Sequence, residues 1–300
     1  MYDIIIIGAG PAGLTAAIYG RRASKKVLVL EAKSYGGQII NTLDIENYPV
    51  EAHISGFDFA TKLYNQAKDL GAEIVFEKVV DINDNGTSKE VVTTKNTYNT
   101  KTVIIATGSE NRKLGLENED ELVGKGVSYC ATCDGAFYKG KTVAVVGGGN
   151  TALEDALYLA DISSKVYLIH RRDEFRGEES TVKHLKEKEN VEFIYNSNVT
   201  KLIGDNRLTT IEVTNKDGSI RTLDIDGLFV AVGRIPENQN FAKLIELDEA
   251  GYVKAGEDCH TNVPGIFVAG DNRIKEVRQL VTATSDGAIA ATNAVKYINS

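Results

Sequence analysis

The sequence predicts an α/β fold with two βαβ units, each of the kind that binds a nucleotide at the ends of parallel strands. The first unit runs from a buried strand, Asp3–Ile7, through a glycine-rich turn and a helix to a second strand ending at Glu31. The pattern recurs 139 residues later, because Thr142 stands where Asp3 stood. Two such units in 300 residues predict two Rossmann-like, three-layer domains with two nucleotide sites.

The segments around the two units complete two similar halves. The predicted elements are a helix over 57–70, antiparallel strands within 79–102, a closing strand over 103–106, a solvated helix over 171–188, antiparallel strands within 191–214 and 219–226, closing strands over 228–232 and 265–269, and an alanine-rich last helix from about 286 to 298.

Composition excludes several classes of function. A formal net charge of −8 disfavours nucleic acid as a partner, because phosphate binding needs a basic surface. No apolar run approaches the roughly 20 residues of a membrane-spanning helix, and the N-terminus enters a strand without a signal-like segment. Three cysteines are too few for a secreted disulfide scaffold, so we expect a cytoplasmic protein whose close cysteine pair is catalytic or metal-binding.

The turn of the first unit has the spacing of a dinucleotide-binding fingerprint, with glycines at Gly8, Gly10 and Gly13. Such glycines let backbone N–H groups approach a pyrophosphate at the start of a helix, and Glu31 can accept hydrogen bonds from a ribose. The fingerprint alone leaves NAD and FAD open. Gly270-Asp271, at the end of a late strand, favours FAD, which lies extended between remote segments, although a plain turn also explains this pair.

The second fingerprint is Gly147-Gly148-Gly149-Asn150-Thr151-Ala152, and the following strand ends at His170, where the first unit has an acid. Arg171 and Arg172 follow directly, and Arg176 lies one turn further on. Guanidinium groups bind phosphate in a bidentate manner, and an arginine at this position accommodates the 2′-phosphate of NADP. A solvated basic cluster at a helix start is the alternative. Because basic residues stand where the first unit has the acid Glu31, the sequence predicts NADPH at the second site.

Cys130 and Cys133 lie between the fingerprints and are the one pair of cysteines close in sequence. Two thiols at this spacing can close a reducible disulfide, and the motif lowers the pKa of one thiol so that it acts as a nucleophile. The adjacent Asp134 can move a proton during exchange. The alternatives are half of a zinc site, to which only Cys259-His260 could add ligands, and two buried apolar cysteines. We expect the rest of the chain to bring electrons to this pair.

Together these motifs resemble the low-molecular-weight bacterial thioredoxin reductases, over essentially the whole chain. The matching segments are Gly8 to Gly13, Gly36-Gly37-Gln38, Cys130-Ala131-Thr132-Cys133-Asp134-Gly135, Gly147 to Ala152 with His170, Arg171, Arg172 and Arg176, and finally Gly270-Asp271, Arg278-Gln279, Thr282-Ala283 and Asp286-Gly287-Ala288. The chain departs from the family at Val50, where glycine commonly follows Asn-Tyr-Pro, and at His53 in a variable segment.

The resemblance implies a mechanism and a division into domains. Residues 1–113 and 244–300 would form a discontinuous FAD domain, with an NADPH domain of residues 114–243 inserted. Electrons would pass from NADPH through FAD to the Cys130–Cys133 disulfide and then to thioredoxin. Cys133 would lie nearer the flavin, Cys130 would attack thioredoxin, and Asp134 would act as acid and base. Family members are usually homodimers and alternate between two domain orientations.

The resemblance also implies which residues bind each cofactor, and no metal ligand is predicted. The residues predicted for FAD are Gly8, Gly10, Pro11, Ala12, Gly13, Glu31, Gly37, Gln38, Asn47, Thr107, Gly108, Gly270, Asp271, Arg278, Gln279 and Ala288. The residues predicted for NADPH are Gly147, Gly149, Asn150, Thr151, Ala152, His170, Arg171, Arg172, Arg176 and Gly233.

Three other functions remain open from the sequence. The partner could be another dithiol protein, such as a glutaredoxin-like protein or a peroxiredoxin system, because partner choice resides in surface loops. A ferredoxin or flavodoxin–NADP reductase of the same fold would dispense with the thiol pair. A non-enzymatic redox sensor would hold flavin or zinc without passing electrons to a partner.

Overall fold

The structure is a computed structural model that describes residues 1–42 and 44–300. By their contacts, these residues divide into two compact units. The first unit consists of Met1–Glu110 and Ile235–Ser300, and the second unit is Asn111–Arg234. In the described part of the chain, no helix is long and apolar enough to cross a lipid bilayer.

The elements follow in chain order. The strands are β1 Tyr2–Ile7, β2 Val27–Glu31, β3 Glu73–Phe76, β4 Val79–Asp84, β5 Lys89–Thr93, β6 Thr97–Ile105, β7 Ser109–Asn111, β8 Val127–Ser128, β9 Thr142–Gly147, β10 Lys165–Ile169, β11 Val191–Ile194, β12 Ser197–Ile203, β13 Thr210–Asn215, β14 Ile220–Asp224, β15 Gly227–Ala231, β16 Arg234–Pro236 and β17 Ile266–Val268. The α-helices are α1 Pro11–Arg22, α2 Gly56–Asp69, α3 Glu119–Leu122, α4 Ala131–Asp134, α5 Asn150–Ile162, α6 Glu179–Lys186 and α7 Leu280–Asn299.

The first unit is built on a seven-stranded sheet with the order β3-β2-β1-β6-β5-β4, in which β17 also pairs with β6. β1 lies parallel between β2 and β6, whereas β4, β5 and β6 pair antiparallel. Successive residues of β1 enter different cores, since side chains alternate along a strand. Ile4 and Ile6 pack with α1 and α7, while Ile5 and Ile7 pack with the antiparallel strands. The parallel strands therefore form the middle of three layers.

The second unit repeats this arrangement with a parallel sheet of order β11-β10-β9-β15-β8. One face, including Val143 and Val145, packs against α5 and α6. The other face, including Ala144 and Val146, packs against a separate antiparallel sheet of β12, β13 and β14. The predicted α/β fold with two Rossmann-like, three-layer domains is confirmed.

Three sequence predictions about the elements were wrong. Segment 191–194 is not antiparallel, because β11 pairs in parallel with β10 and extends the nucleotide-binding sheet. The charged segment 171–188 is helical only from Glu179 to Lys186. Its first part is a loop held by the second fingerprint, since the Arg176 N–H donates to the Gly148 carbonyl at 2.7 Å.

The last helix begins at Leu280, six residues before the predicted start at Asp286. Gln279 and Thr282 form a reciprocal capping box, in which each side chain bonds the other's backbone N–H. This local cap overcomes the weak helix propensity of the valine and threonine residues that follow it, which the alanine count did not reveal.

The chain passes between the units after Glu110 and after Arg234, whereas the sequence placed these crossings after residues 113 and 243. The second crossing lies earlier than predicted because of two buried side chains. Phe241 is buried in the core of the first unit, and Ile245 packs in the same cluster. These two apolar side chains bring the segment that follows Arg234 into the first unit.

Candidate functional site

The first fingerprint loop connects β1 to α1, and its three glycines have different physical roles. A Cβ on Gly8, whose φ is +108°, would lie 2.3 Å from the Ala106 carbonyl oxygen, and a Cβ on Gly13 would lie 2.0 Å from the Gly8 carbonyl oxygen. The protein's own backbone excludes side chains at both positions. A Cβ on Gly10 would meet only the Gly37 Cα at 3.9 Å, so this position is open at the N-terminus of α1.

Glu31 lies against this loop at the end of β2. Its Oε2 accepts a hydrogen bond from the Ala9 N–H at 2.8 Å, and its Oε1 accepts one from the Lys33 N–H at 2.8 Å. The Gly36 N–H donates to the Ala9 carbonyl at 2.8 Å, which places Gly36-Gly37 beside the fingerprint. The carboxylate and both glycine-rich turns are thus held together at the carboxyl ends of β1 and β2.

The C-terminal segment joins the same site through α7. A Cβ on Gly287 would lie 2.2 Å from the Ala12 carbonyl oxygen, so glycine allows α7 to lie directly against α1. Asp286, in the same turn, accepts a hydrogen bond from the Gly270 N–H at 2.9 Å. These contacts bring the predicted residue Gly270 to the fingerprint helix.

Asp286 is the centre of a buried group of charges. Arg273 donates to it through Nε and Nη2, both at 2.8 Å, and Lys275 donates at 3.0 Å. Burial by itself would raise the pKa of Asp286, but the hydrogen bonds from Arg273 and Lys275 outweigh it and the pKa is lowered. The carboxylate stays charged and fixes the loop that carries Gly270.

A second buried polar network links three segments of the first unit. The Asn238 Nδ2 donates to the Gly251 carbonyl at 2.9 Å and to the Asn272 carbonyl at 2.7 Å. The Asn272 Nδ2 in turn donates to the Thr107 hydroxyl at 3.1 Å. Both asparagines are fully buried, so they fix the positions of the predicted flavin residues Thr107 and Asp271.

The remaining residues predicted for the flavin are less closely joined. Asn47 donates through Nδ2 to the Gln279 side chain at 3.2 Å. Arg278 stacks its guanidinium 4.4 Å from the centre of the Tyr252 ring. Gln38 follows the Gly36-Gly37 turn and is exposed, and Ala288 follows Gly287 and lines a shallow groove with residues further along α7. Both residues are joined to the group through these glycine neighbours, which lie against the fingerprint loop and α1.

The second fingerprint has the same division of roles. A Cβ on Gly147 would lie 2.4 Å from the Ala231 carbonyl oxygen, whereas a Cβ on Gly149 would have no atom within 4 Å. Gly149 lies at the N-terminus of α5 with a φ of −96°, which any residue can adopt. The Asn150 side chain contacts the loop between β10 and α6, where its Oδ1 accepts a hydrogen bond from the Glu178 N–H at 2.8 Å. Gly233, beyond the end of β15, is also open.

His170 and the arginines after it lie beside this fingerprint. The His170 ring covers Gly148, since a Cβ there would lie 2.1 Å from the ring's Cε1. Burial lowers the pKa of His170, and the adjacent positive charges lower it further, so the ring is neutral at neutral pH. Arg171, Arg172 and Arg176 are exposed, and within the described ranges their guanidinium groups have no carboxylate or hydrogen-bond partner.

Cys130 and Cys133 form a disulfide whose Cα atoms are 5.3 Å apart, at the start of the short helix α4. The Cys133 N–H lies 3.2 Å from the Cys130 Sγ. Ser128, at the end of β8, donates through its hydroxyl to the Asp134 Oδ2 at 2.6 Å. Burial raises the pKa of Asp134, and the Ser128 hydrogen bond opposes that rise. A carboxyl group that can hold a proton thus lies next to the disulfide in sequence.

The loop before the disulfide is anchored by Glu119. Its carboxylate accepts backbone N–H groups of Leu114 and Gly115 at 2.9 and 2.8 Å, and the Tyr129 hydroxyl at 2.8 Å. Glu119 is itself buried. Sequence reasoning missed Glu119 and Ser128, although the position of Ser128 two residues before Cys130 was a signal. It also missed Asn238, for which the sequence offers no signal.

The zinc alternative receives no support from the structure. Cys130 and Cys133 are bonded to each other, and Cys259 is fully buried, with its pKa raised to about 12 chiefly by burial. Within residues 1–42 and 44–300, one cluster has three side chains spaced as metal ligands, and it contains Asp44, Glu46 and His53 but no cysteine.

The residues present fit a dinucleotide at each fingerprint. The open positions Gly10 and Gly149 stand where a pyrophosphate would meet the N-termini of α1 and α5. With the redox disulfide, these two sites define a class of protein, the oxidoreductases that use a flavin and a pyridine nucleotide to reduce a disulfide.

Comparison with known proteins agrees with this class. The chain belongs to the pyridine nucleotide-disulphide oxidoreductase family, whose model matches residues 2–287. A thioredoxin reductase of Listeria innocua is 45% identical over 300 residues, covering 99% of this chain and 94% of the relative. One from Peptoclostridium acidaminophilum is 43% identical, covering 99% and 97%. The crystal structure of thioredoxin reductase from Streptococcus pyogenes has a TM-score of 0.95 at 40% identity, covering 100% of this chain and 98% of that one.

Proposed function

We propose that the protein is an NADPH-dependent thioredoxin reductase that uses FAD as its flavin. The three exposed arginines after β10, which have no side-chain partner among the described residues, support NADPH over NADH. The joining of α7, the Gly270 loop and the first fingerprint into one site supports FAD, because this cofactor spans remote segments of a chain. The two relatives described above, which match nearly the whole chain, are thioredoxin reductases, and this supports thioredoxin as the disulfide substrate.

The observation that carries the proposal is the Cys130–Cys133 disulfide next to Asp134 in a unit that has its own nucleotide fingerprint. A ferredoxin or flavodoxin reductase would need no such pair, and a metal-bound sensor would need free thiolates. Only a reductase that passes electrons through thiols uses all of these parts together.

In this proposal, each part of the chain has a defined task. The residues of the first unit would hold FAD, which supplies a two-electron relay between the nicotinamide and the disulfide. Arg171 and Arg172 would bind the 2′-phosphate of NADPH. Cys130 would attack the thioredoxin disulfide as a thiolate, Cys133 would then release the mixed disulfide, and Asp134 would exchange the proton.

The decisive experiment compares the purified protein with Cys130→Ser and with Cys259→Ser as a matched control. NADPH-dependent reduction of a thioredoxin should fall by a factor of at least about 1,000 in Cys130→Ser, because the attacking thiolate is absent. Cys259→Ser should retain turnover, since its thiol is buried and protonated. Flavin bleaching by NADPH, followed separately, should persist in all three proteins. Thioredoxin reduction that survives in Cys130→Ser would end this proposal and favour the ferredoxin or flavodoxin reductase.

We further propose that the protein acts as a homodimer in the cytoplasm. The net charge of −8 and the presence of a reducible disulfide suit a reducing aqueous compartment. Analytical ultracentrifugation of the flavin-loaded protein checks the first point, because a monomer of 32.5 kDa and a dimer sediment differently.

A further inference from the structure

Ser128 is a buried residue at the end of β8 to which the mechanism above assigns no task. Its hydroxyl hydrogen points to the Asp134 Oδ2, because the 2.6 Å separation is much shorter than the 3.3 Å to the Cys130 carbonyl, and a hydroxyl has one hydrogen to give. Its oxygen accepts the Cys130 N–H at 3.1 Å. One side chain therefore contacts both the carboxyl group and the backbone of the attacking cysteine.

These contacts fix the relation between an acid and a thiol. Cys130 and Asp134 lie at opposite ends of the four-residue helix α4, and Ser128 bridges the two ends. Among the described residues, Ser128 provides the one hydrogen bond of the Asp134 carboxyl group, so without it no hydrogen bond would fix the orientation of that group. A partly buried carboxyl group with one strong donor keeps a single orientation, which a group that transfers protons needs.

We propose that Ser128 is the positioning residue that orients Asp134 and sets the pH at which it gives up its proton. This inference rests on the proposed function, since it gives Asp134 the task of exchanging the thiol proton.

The proton step balances as follows. Reduction breaks the Cys130–Cys133 bond and adds two electrons, which the reductase activity supplies, and two protons are needed to form two thiols. Asp134 as a carboxylic acid gives one proton to one thiolate and becomes a carboxylate, and solvent gives the second proton to the other thiolate. The Ser128 hydroxyl stabilises that carboxylate through its hydrogen bond, and solvent later returns the proton.

The direction of the effect follows from which form Ser128 stabilises. A donated hydrogen bond favours the carboxylate, so it lowers the pKa of Asp134, whereas burial raises it. Removal of the hydroxyl leaves burial unopposed and moves the pKa upwards. Within the described part of the chain, the titratable group that interacts with Asp134 is the phenol of Tyr138, whose pKa is raised by burial and by the charge of Asp134. The Tyr138 phenol is neutral over the range in question and does not reverse this direction.

The test is the titration of Asp134 in the oxidised, flavin-loaded protein. The infrared carboxylic-acid band of Asp134 is identified as the band that Asp134→Asn lacks. In Ser128→Ala its midpoint should move up by about one pH unit, and in Ser128→Thr, which keeps the hydroxyl, it should stay near the wild-type value. The pH profile of thioredoxin turnover should show the same shift in the limb that Asp134 governs.

Ser197→Ala is the matched control, because Ser197 is a buried serine of the same unit that also donates one hydrogen bond and accepts one. Its melting temperature should fall about as much as that of Ser128→Ala, with no change in the Asp134 midpoint. An unchanged midpoint in folded Ser128→Ala overturns the inference. If that variant does not fold, a midpoint in Ser128→Thr that departs from wild type by a full unit overturns it instead.

The two proposals fail in different ways. Absence of thioredoxin turnover in the wild-type protein would overturn the proposed function, yet the infrared titration needs no partner and would still decide the role of Ser128. Normal turnover with no shift in either titration would leave the function standing and reduce Ser128 to a structural residue.

Discussion

The arginines after β10 are the residues on which the proposed choice of NADPH over NADH depends. Arg171, Arg172 and Arg176 are exposed and lack protein partners among residues 1–42 and 44–300, so their charges are available to a ligand. The backbone of this loop, in contrast, is tied to the fingerprint by the bond from the Arg176 N–H to the Gly148 carbonyl. Available charge on an anchored loop is what recognition of a phosphate group requires.

The double variant Arg171→Ala with Arg172→Ala should raise KM for NADPH far more than KM for NADH. Each charge-assisted hydrogen bond is worth about 1.5–3 kcal/mol, so loss of both should raise KM for NADPH by a factor of at least about 100. Steady-state kinetics with both cofactors measures this. Arg207→Ala, which removes an exposed charge paired with Asp226, controls for a general loss of positive charge. Equal losses with NADPH and NADH would contradict the 2′-phosphate assignment.

Cys259 shows that burial can keep a thiol protonated and therefore unreactive. Its side chain is fully buried, and burial raises its pKa to about 12, so the thiol remains protonated at neutral pH. This environment is that of a residue for packing and not of a third redox centre.

In both strand–turn–helix elements, the first and the middle glycine of the fingerprint have different roles. In each, a Cβ on the first glycine would clash with a carbonyl oxygen at the end of a neighbouring strand. This oxygen belongs to Ala106 in the first unit and to Ala231 in the second. The middle glycines, Gly10 and Gly149, meet no such obstacle. A glycine that the protein does not need for its own packing is explained by a ligand that approaches the backbone closely.

Gly149→Ala should therefore fold normally and bind NADPH at least about 10-fold more weakly, because the added methyl group occupies the space of the pyrophosphate. Gly10→Ala should do the same to the flavin. Melting temperatures and equilibrium titrations separate folding from binding. Gly256→Ala, at a glycine with only an ordinary 3.4 Å contact, should change neither property. Undiminished NADPH affinity in folded Gly149→Ala would show that the second fingerprint is a turn without a ligand.

At the scale of the whole molecule, the two units differ in continuity. The second unit is a single segment, Asn111–Arg234, with one core on each face of its parallel sheet. The first unit needs both ends of the chain, because β17 pairs with β6 and α7 packs against α1.

The isolated segment 111–234 should unfold cooperatively and bind NADPH within about 10-fold of the full-length affinity, because its cores are complete. The segment 1–110 should not fold alone, since it lacks β17 and α7, and its fusion to 235–300 should restore flavin binding. Thermal unfolding and ligand titration check each fragment. A non-cooperative transition in 111–234 would show that the second unit depends on the first for its stability.

Much of the fold could be read from local patterns. The strands β1, β2, β9 and β10 and the helices α1 and α5 follow from apolar runs and glycine spacing, because each forms within one short segment. The pairing of β11 and the early start of α7 could not be read in this way. Strand direction depends on which neighbour a strand finds, and the start of α7 depends on the reciprocal cap of Gln279 and Thr282.

The residues of the candidate site also fall into those that local sequence patterns predict and those that they do not. Glycine fingerprints, the cysteine pair and the arginines were predicted because their spacing along the chain is itself the chemical signal. Asn238 and the buried Arg273–Asp286 pair were not predicted, since hydrogen bonds between separate segments leave no regular spacing in a sequence. Ser128 lies close to the cysteine pair in sequence, but its hydrogen bond to Asp134 depends on how the short helix α4 folds.

The sequence by itself determined the fold class, the two nucleotide fingerprints, the redox pair and the basic cluster, because local backbone sterics and side-chain chemistry act over a few residues. Only the tertiary structure decided which glycines are open to a ligand, which thiol is buried and what orients Asp134. These properties depend on burial and on which side chains meet, and both are decided only once the chain has folded.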